Sequence, residues 1–258
     1  MIHSLSQIHP DAKIDPSVEI GPFVTIEGDV EIGPNCHIGS NVTIMDGARI
    51  GSNVRIFPGA VISAIPQDLK FKGEKTVAII GDNTTLRECV TVNRGTAAKG
   101  LTRVGKNCLI MAYSHVAHDC IVGNSVIISN ATQLAGEVVV DDFAVIGGGT
   151  LVHQFCHLGT HVMIQGGALI NKDIPPFVKA AREPISYTGV NSIGLRRRGF
   201  TSDQIRDIQE VYRYLYLSRL NVTDAVERIE AELPATSERD EIIMFIKNSK
   251  RGIIRGYV

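Results

Sequence analysis

Residues 8–62 read IHPDAKIDPSVEIGPFVTIEGDVEIGPNCHIGSNVTIMDGARIGSNVRIFPGAVI, and every sixth position from Ile8 to Ile62 is isoleucine. Four places after each isoleucine stands a small or β-branched residue: Ala12, Val18, Val24, Val30, Cys36, Val42, Ala48, Val54 and Ala60. A period of six is even, so it keeps to one face of a β-strand, whose side chains alternate with period two. It fits the 3.6-residue helical period poorly. The aliphatic and the small residue flank a single outward residue and both point inward. Pairs such as Gly21-Pro22, Gly33-Pro34 and Gly39-Ser40 supply corners between strands. A chain that turns every six residues with the same residue inside is a solenoid of parallel strands.

The register resumes at Ile80, Leu86 and Val92 and then runs from Val104 to Ile170, with breaks only at Asp68, Glu74 and Ala98. The interruptions predict two loops ejected from the coil, near 63–79 and 97–103. The pattern resembles the hexapeptide-repeat acyltransferases. That resemblance implies a mainly β fold, a left-handed parallel β-helix with three strands and 18 residues per coil. At steps of 18, the outward residues Leu109, Ile127, Val145 and Met163 align as one apolar stripe. Such a stripe marks an interface or an apolar ligand, and the resemblance implies a homotrimer. Coverage of the stripe by the C-terminal segment is the competing reading.

Composition agrees with tight corners. Among 258 residues there are 25 glycines and no tryptophan, and aromatics make up 5%. A net charge of −1 gives no support for a nucleic-acid partner. No stretch approaches the ~18 apolar residues of a membrane span, and residues 1–14 lack the form of a signal peptide. The expected location is the cytoplasm. Cys36, Cys89, Cys108, Cys120 and Cys156 show no metal-like spacing. Four of them occupy the small inward position, which reads as buried thiols rather than disulfides or metal ligands.

The repeat ends at Ile170–Ile174, before Pro175-Pro176, and from about residue 190 the periodicity is helical. Ser202 or Thr201 can cap a helix carrying Ile205, Ile208, Val211, Tyr212 and Leu215. Asn221 opens a second helix and Ser237 a third. The expected division is a coil over 1–186 and a C-terminal helical domain over 187–258.

The densest polar cluster is His115-Val116-Ala117-His118-Asp119. His118 falls at a corner and projects outward, and imidazole, with a reference pKa of ~6.5, is the usual general base near neutrality. Asp119 can orient it or stabilise its charged form. Eighteen residues on, the same corner carries Gly136, whose backbone N–H can face the reacting group as an oxyanion hole requires. A surface histidine is the bland alternative. His115, His153, His157 and His161, gathered in the same third of the chain, weigh against it.

Over essentially its full length the chain resembles the UDP-N-acetylglucosamine 3-O-acyltransferases of lipid A biosynthesis. The matching stretches are PQDLKFKGE (66–74), TVNRGT (91–96), HVAHDC (115–120), LAG (134–136), VDDFAVIGG (140–148), VHQFC (152–156), GVN (189–191) and GLRRRGF (194–200). The resemblance implies transfer of an (R)-3-hydroxyacyl chain from acyl carrier protein to the sugar 3-hydroxyl, with no cofactor or metal. It makes His118 the base and Gly136 the oxyanion donor. Asp68, Lys70, His115, His153 and Gln154 become contacts to the sugar nucleotide and substrate. Asn191, Arg197 and Arg198 fall at the nucleotide end, where guanidinium forks suit a diphosphate. A solvated charge run, or a landing site for the acidic carrier protein, is the alternative for Arg196–Arg198.

Asn93 and Glu137 stand where better-known members have histidine, and Ile193 where they have an acidic residue. Gly166 stands at the family's acyl-length ruler, which implies a long acyl chain. Three other functions share features with this sequence. The related N-acyltransferase has the coil, but it also carries an N-terminal domain for which repeats beginning at Ile8 leave no room. A zinc carbonic anhydrase of this fold needs three converging histidines. A non-catalytic scaffold trimer needs no base at all.

Overall fold

A computed structural model describes Met1–Gly256. Three sheets of nine, eight and eleven strands, parallel throughout the coil, form the faces of a prism, and within the coil each strand pairs with the third one after it. Gln7 pairs with Thr25, Lys13 with Glu31 and Glu19 with His37, so one coil is 18 residues. We call these the first, second and third faces, in the order in which the chain visits them. The inward ladder of the first face, Ile26, Ile44, Ile62, Val92, Val116, Leu134, Val152 and Ile170, is buried throughout. Each such side chain contributes roughly 1.5–3 kcal/mol relative to exposure.

Every corner needs a tight reversal. Asn35, Asn41, Asn53, Asn83 and Asn107 all adopt φ of 56–57°, the left-handed region that asparagine enters most readily after glycine. They lie multiples of six apart, and Asp119 and Glu137 share this register and conformation, both with φ 60°. Polar residues at the small inward position bond to corner carbonyls. Thr84 Oγ1 donates to Gly105 O at 2.7 Å, and the thiols of Cys36, Cys108 and Cys120 donate to Gly51, Gly123 and Ala135 at 3.0–3.1 Å. All five cysteines are free, and burial pushes the Cys120 thiol up to about 12.

The first ejected loop is shorter than the break in periodicity implies, and the second is as long as expected but begins three residues earlier. The chain leaves the coil after the strand Val61–Ala64, returns at Val77–Ile80, and leaves again between Thr91–Asn93 and Leu101–Val104. The loops are therefore 65–76 and 94–100. A test that samples one position in six cannot see strand residues adjoining a break. Accordingly, Val61 pairs with Thr91, 30 residues on, and Thr91 with His115, 24 on.

Past Leu169–Ile170 the third face continues through Val178–Ala181. Ser186–Val190 folds back antiparallel on it, and Arg255–Gly256 adds alongside. The division drawn at 186/187 falls inside that strand. Four helices follow: α1 (Ser192–Arg197), α2 (Ser202–Leu217), α3 (Val222–Glu232) and α4 (Ser237–Asn248). Thr201 closes a capping box with Gln204 on α2, and Asn221 caps α3. Thr236, not Ser237, caps α4, because its hydroxyl accepts from Arg239 N–H. Tyr212 is fully buried and its hydroxyl donates to Pro176 O at 2.5 Å, which anchors α2 to the end of the coil.

The stripe Leu109, Ile127, Val145 and Met163 pairs in register along the third face, and Met163 is 39% exposed. Because the ladder carries the fold, Ile128→Ala, at a position with no exposure, is expected to destabilise the chain by about 2–5 kcal/mol. Denaturant unfolding of the variant beside the parent measures it.

Candidate active site

His118 lies at the corner between the first and second faces, directly after the strand His115–Val116. Its Nδ1 is 2.8 Å from Asp119 Oδ2. An ionised carboxylate only accepts, so this bond requires the proton on Nδ1 and leaves Nε2 as a free acceptor. Asp119 has no exposed side chain, yet it is well supplied with donors. Thr96 reaches it through its hydroxyl at 2.6 Å and its N–H at 3.0 Å, and Lys99 N–H lies at 3.3 Å. Burial alone would raise the Asp119 pKa. Hydrogen bonds from Thr96 and His118, with the latter's charge, outweigh it and hold the carboxyl below its usual range.

Gly136 stacks one coil above, on the His118 ring. A Cβ at that position would sit 2.6 Å from His118 Cε1 and 2.7 Å from Nε2, so only glycine leaves the imidazole where it is. Among the described residues the Gly136 N–H has no hydrogen-bond partner. His115 Nδ1 meets Thr91 Oγ1 at 2.7 Å, and burial followed by the nearby His118 depresses its pKa. His115 is thus a neutral imidazole beside His118 near neutral pH.

A groove of about 590 Å³ opens above this corner along the first face. On the face, its outward residues run from polar His115 and Gln133 to apolar Leu151 and Leu169, and along its corner side lie His118, His153 and Gln154. Ladder pairing sets that order: His115 pairs with Gln133, Gln133 with Leu151 and Leu151 with Leu169. Gln67, from the first ejected loop, lines the groove too. Asp68 and Lys70 do not. Asp68 Oδ1 instead accepts Lys70 N–H at 2.9 Å within its own turn. Buried Asn93 donates to Ile65 O at 3.0 Å, which ties this loop to the coil, while its Oδ1 has no partner among the described residues.

Two of the histidines gathered in this third of the chain lie away from His118. His157 binds Asp141 at 2.7 Å and packs on Phe245 of α4. His161 stacks on Phe143 with ring centroids 4.7 Å apart, and burial, then Arg198, lowers its pKa to about 4. Counting histidines along the chain therefore overstates the cluster. Arg198 lies over the Phe143 ring at 4.6 Å, at the corner between the second and third faces. Asn191 caps α1, accepting from Gly194 N–H at 3.2 Å and donating to His161 O at 2.9 Å. Arg197 and Ile193 are exposed on the same helix. Within one protomer, Asn191, Arg197 and Arg198 do not meet the groove. Gly166 sits at the corner between the third and first faces, where a Cβ would lie 3.0 Å from Gly148 O.

Among the described residues no three histidine, cysteine or acidic side chains converge as metal ligands. Thr96, Lys99, Gln67 and Thr91 escaped the reading of the sequence. Thr91 and Thr96 lie within the quoted TVNRGT stretch and Gln67 within PQDLKFKGE, but nothing in spacing alone assigns them partners. Only Lys99 stands outside both stretches.

The corner thus holds a buried acid hydrogen-bonded to a histidine beside an unused backbone donor, on a coil of six-residue repeats. Residues 101–136 match the bacterial transferase hexapeptide (six repeats) and residues 1–99 the GMPPB C-terminal domain. Residues 173–254 match domain 2 of the Udp N-acetylglucosamine O-acyltransferases. An acyl-(acyl-carrier-protein)--UDP-N-acetylglucosamine O-acyltransferase of Halorhodospira halophila is 46% identical, the match covering 97% of this chain and 100% of that one. The solved UDP-N-acetylglucosamine acyltransferase of Bacteroides fragilis is 56% identical with a TM-score of 0.97, covering 99% of this chain and 100% of that one. That of Francisella novicida is 42% identical with a TM-score of 0.96, covering 99% and 94%. The chain belongs to the UDP-N-acetylglucosamine O-acyltransferase family, and its coil is a left-handed parallel β-helix.

Gly136→Ala drives a methyl into the His118 ring and is expected to lower acyl transfer by about a hundredfold. Circular dichroism should show an unchanged coil, and turnover on UDP-N-acetylglucosamine reads the loss.

Proposed function

We propose that this enzyme transfers a long (R)-3-hydroxyacyl chain from acyl carrier protein to the 3-hydroxyl of UDP-N-acetylglucosamine, the first step of lipid A biosynthesis. The observation that carries the reading is the line Asp119–His118–Gly136. Nε2 of His118 takes the proton of the sugar hydroxyl as its oxygen attacks the thioester carbonyl. Gly136 N–H donates to the oxyanion that forms. Collapse expels the carrier thiolate, and His118 returns the proton to sulfur. Asp119 keeps the imidazole in the competent tautomer and stabilises its charged form.

His115, His153 and Gln154 hold the sugar and acyl ester in the groove, and Asp68 and Lys70, outside its lining, contact the sugar nucleotide from the first loop. Asn191, Arg197 and Arg198 reach the nucleotide from a neighbouring copy in a homotrimer. Two observations support the assembly: these residues stand at a different corner from His118, and the apolar stripe on the third face is incompletely covered. Leu151 and Leu169 receive the proximal acyl chain, and Gly166 leaves room for its distal end. No described helix is long and apolar enough to cross a membrane, and a carrier-protein donor suits an enzyme of the cytoplasm.

Purified enzyme, UDP-N-acetylglucosamine and a panel of acylated carrier proteins test this. His118→Ala should lose at least about a hundredfold in kcat; no transfer at any chain length would overturn the reading. Gly166→Met should move the optimum to shorter chains in the same panel, and an unmoved optimum would remove the ruler from that position.

A further inference from the structure

The second ejected loop leaves the coil beside the candidate base, and its bonding there is unusually complete. Thr96 is buried and donates twice to one carboxylate, from Oγ1 to Asp119 Oδ2 at 2.6 Å and from its N–H to Asp119 Oδ1 at 3.0 Å. Lys99 adds its N–H to Oδ1 at 3.3 Å and its Nζ to the Asp119 carbonyl at 3.0 Å. From beneath, Thr102 Oγ1 accepts the Asp119 N–H at 2.8 Å. Oδ2, the oxygen that Thr96 hydroxyl grips, is also the one that meets His118 Nδ1 at 2.8 Å. The carboxylate thus has donors on both oxygens, and one defined orientation.

We infer that Thr96 is a positioning residue for acyl transfer: it clamps Asp119 so that His118 holds its proton on Nδ1 and presents Nε2 to the substrate. This rests on the reading of His118 as base. Without the clamp, the carboxylate can rotate about χ2, and the imidazole loses the partner that selects its tautomer. An exposed aspartate would need no such device. A fully buried one does, since an unpaired charge away from water is strongly disfavoured. The Thr96 and His118 hydrogen bonds also favour the ionised acid, in keeping with its depressed pKa. Other charged or titratable groups around the pair are Lys99 from the same loop, His115 on the preceding strand, Cys120 behind Asp119 and Glu137 on the next coil. Of these Lys99 bonds the Asp119 backbone through its side chain, whereas among the described residues only Thr96 and His118 bond the carboxylate through theirs.

Thr96→Val removes the hydroxyl at nearly constant volume, and Thr96→Ser keeps it. In the full-length enzyme with UDP-N-acetylglucosamine and a 3-hydroxyacyl carrier protein, Thr96→Val should lower kcat about tenfold to a hundredfold with KM nearly unchanged. Thr96→Ser should restore most of the loss. Introduced on top of Asp119→Asn, Thr96→Val should cost almost nothing further, because groups acting through one another are not additive. Full additivity, or wild-type turnover in Thr96→Val, would overturn the clamp. Imidazole ¹⁵N shifts of His118 give a readout independent of turnover. They should report a single Nδ1–H tautomer in the parent and in Thr96→Ser, and a mixture in Thr96→Val. A single tautomer in all three also overturns it. An active His118→Ala enzyme would remove the base instead, and the ¹⁵N comparison would still decide whether Thr96 orients the pair.

Discussion

One reversal per six residues, made at a corner where in most coils a residue sits in the left-handed region, is the constraint from which the rest of the molecule follows. It places an aliphatic side chain inside every strand and stacks residues 18 apart directly above one another. Where the stack is uninterrupted, position in the chain becomes position on a face. His118 and Gly136 are 18 apart, so the absence of a side chain at one makes the space the other's ring occupies. The groove inherits its polarity in the same manner, since the outward residues along the first face change from His115 and Gln133 to Leu151 and Leu169. A sugar and an acyl tail need such neighbouring surfaces, and the coil supplies them by simple succession.

Much of this was readable from residue types. The isoleucine ladder at 8–62 prescribes parallel strands, and Gly136 could be placed over His118 by adding 18. Thr201 and Asn221 announced their helices through capping chemistry. Contacts between a loop and the coil were a different matter. Thr96 and Lys99 lie in a segment with no periodicity, and only three-dimensional closure brings them to Asp119. The histidines show the opposite error. His157 and His161 are near His153 in the chain, but a coil of three faces turns them to another side within four to eight residues. There one serves an acid and the other an aromatic stack.

The electrostatics of the corner explain why a loop is ejected at that place. A regular coil offers a corner residue at most its ladder partners, because main-chain N–H and C=O groups are largely spent on adjacent coils. Asp119 is buried, and its charge needs several donors aimed at it. Letting the chain out at 94–100 releases the N–H groups of Thr96 and Lys99 from the ladder and turns them onto the carboxylate. The insertion therefore does locally what the repeat cannot: it builds a solvated environment for an anion out of protein dipoles. His115, half-buried beside His118 with its pKa depressed, adds no competing charge near neutrality.

The same regularity also limits a single chain. A prism presents each corner to a different direction, so Arg198 at the corner of the second and third faces cannot approach the groove above His118, at the corner of the first and second. The Arg198 guanidinium rests on Phe143, and Asn191 is held at both ends by Gly194 and His161. A nucleotide spanning both sets must therefore lie between two prisms. Packing the apolar stripe of Leu109, Ile127, Val145 and Met163 against another copy would set the separation of those prisms. The proposed interface and the proposed site would then both be consequences of one repeat, read on different faces.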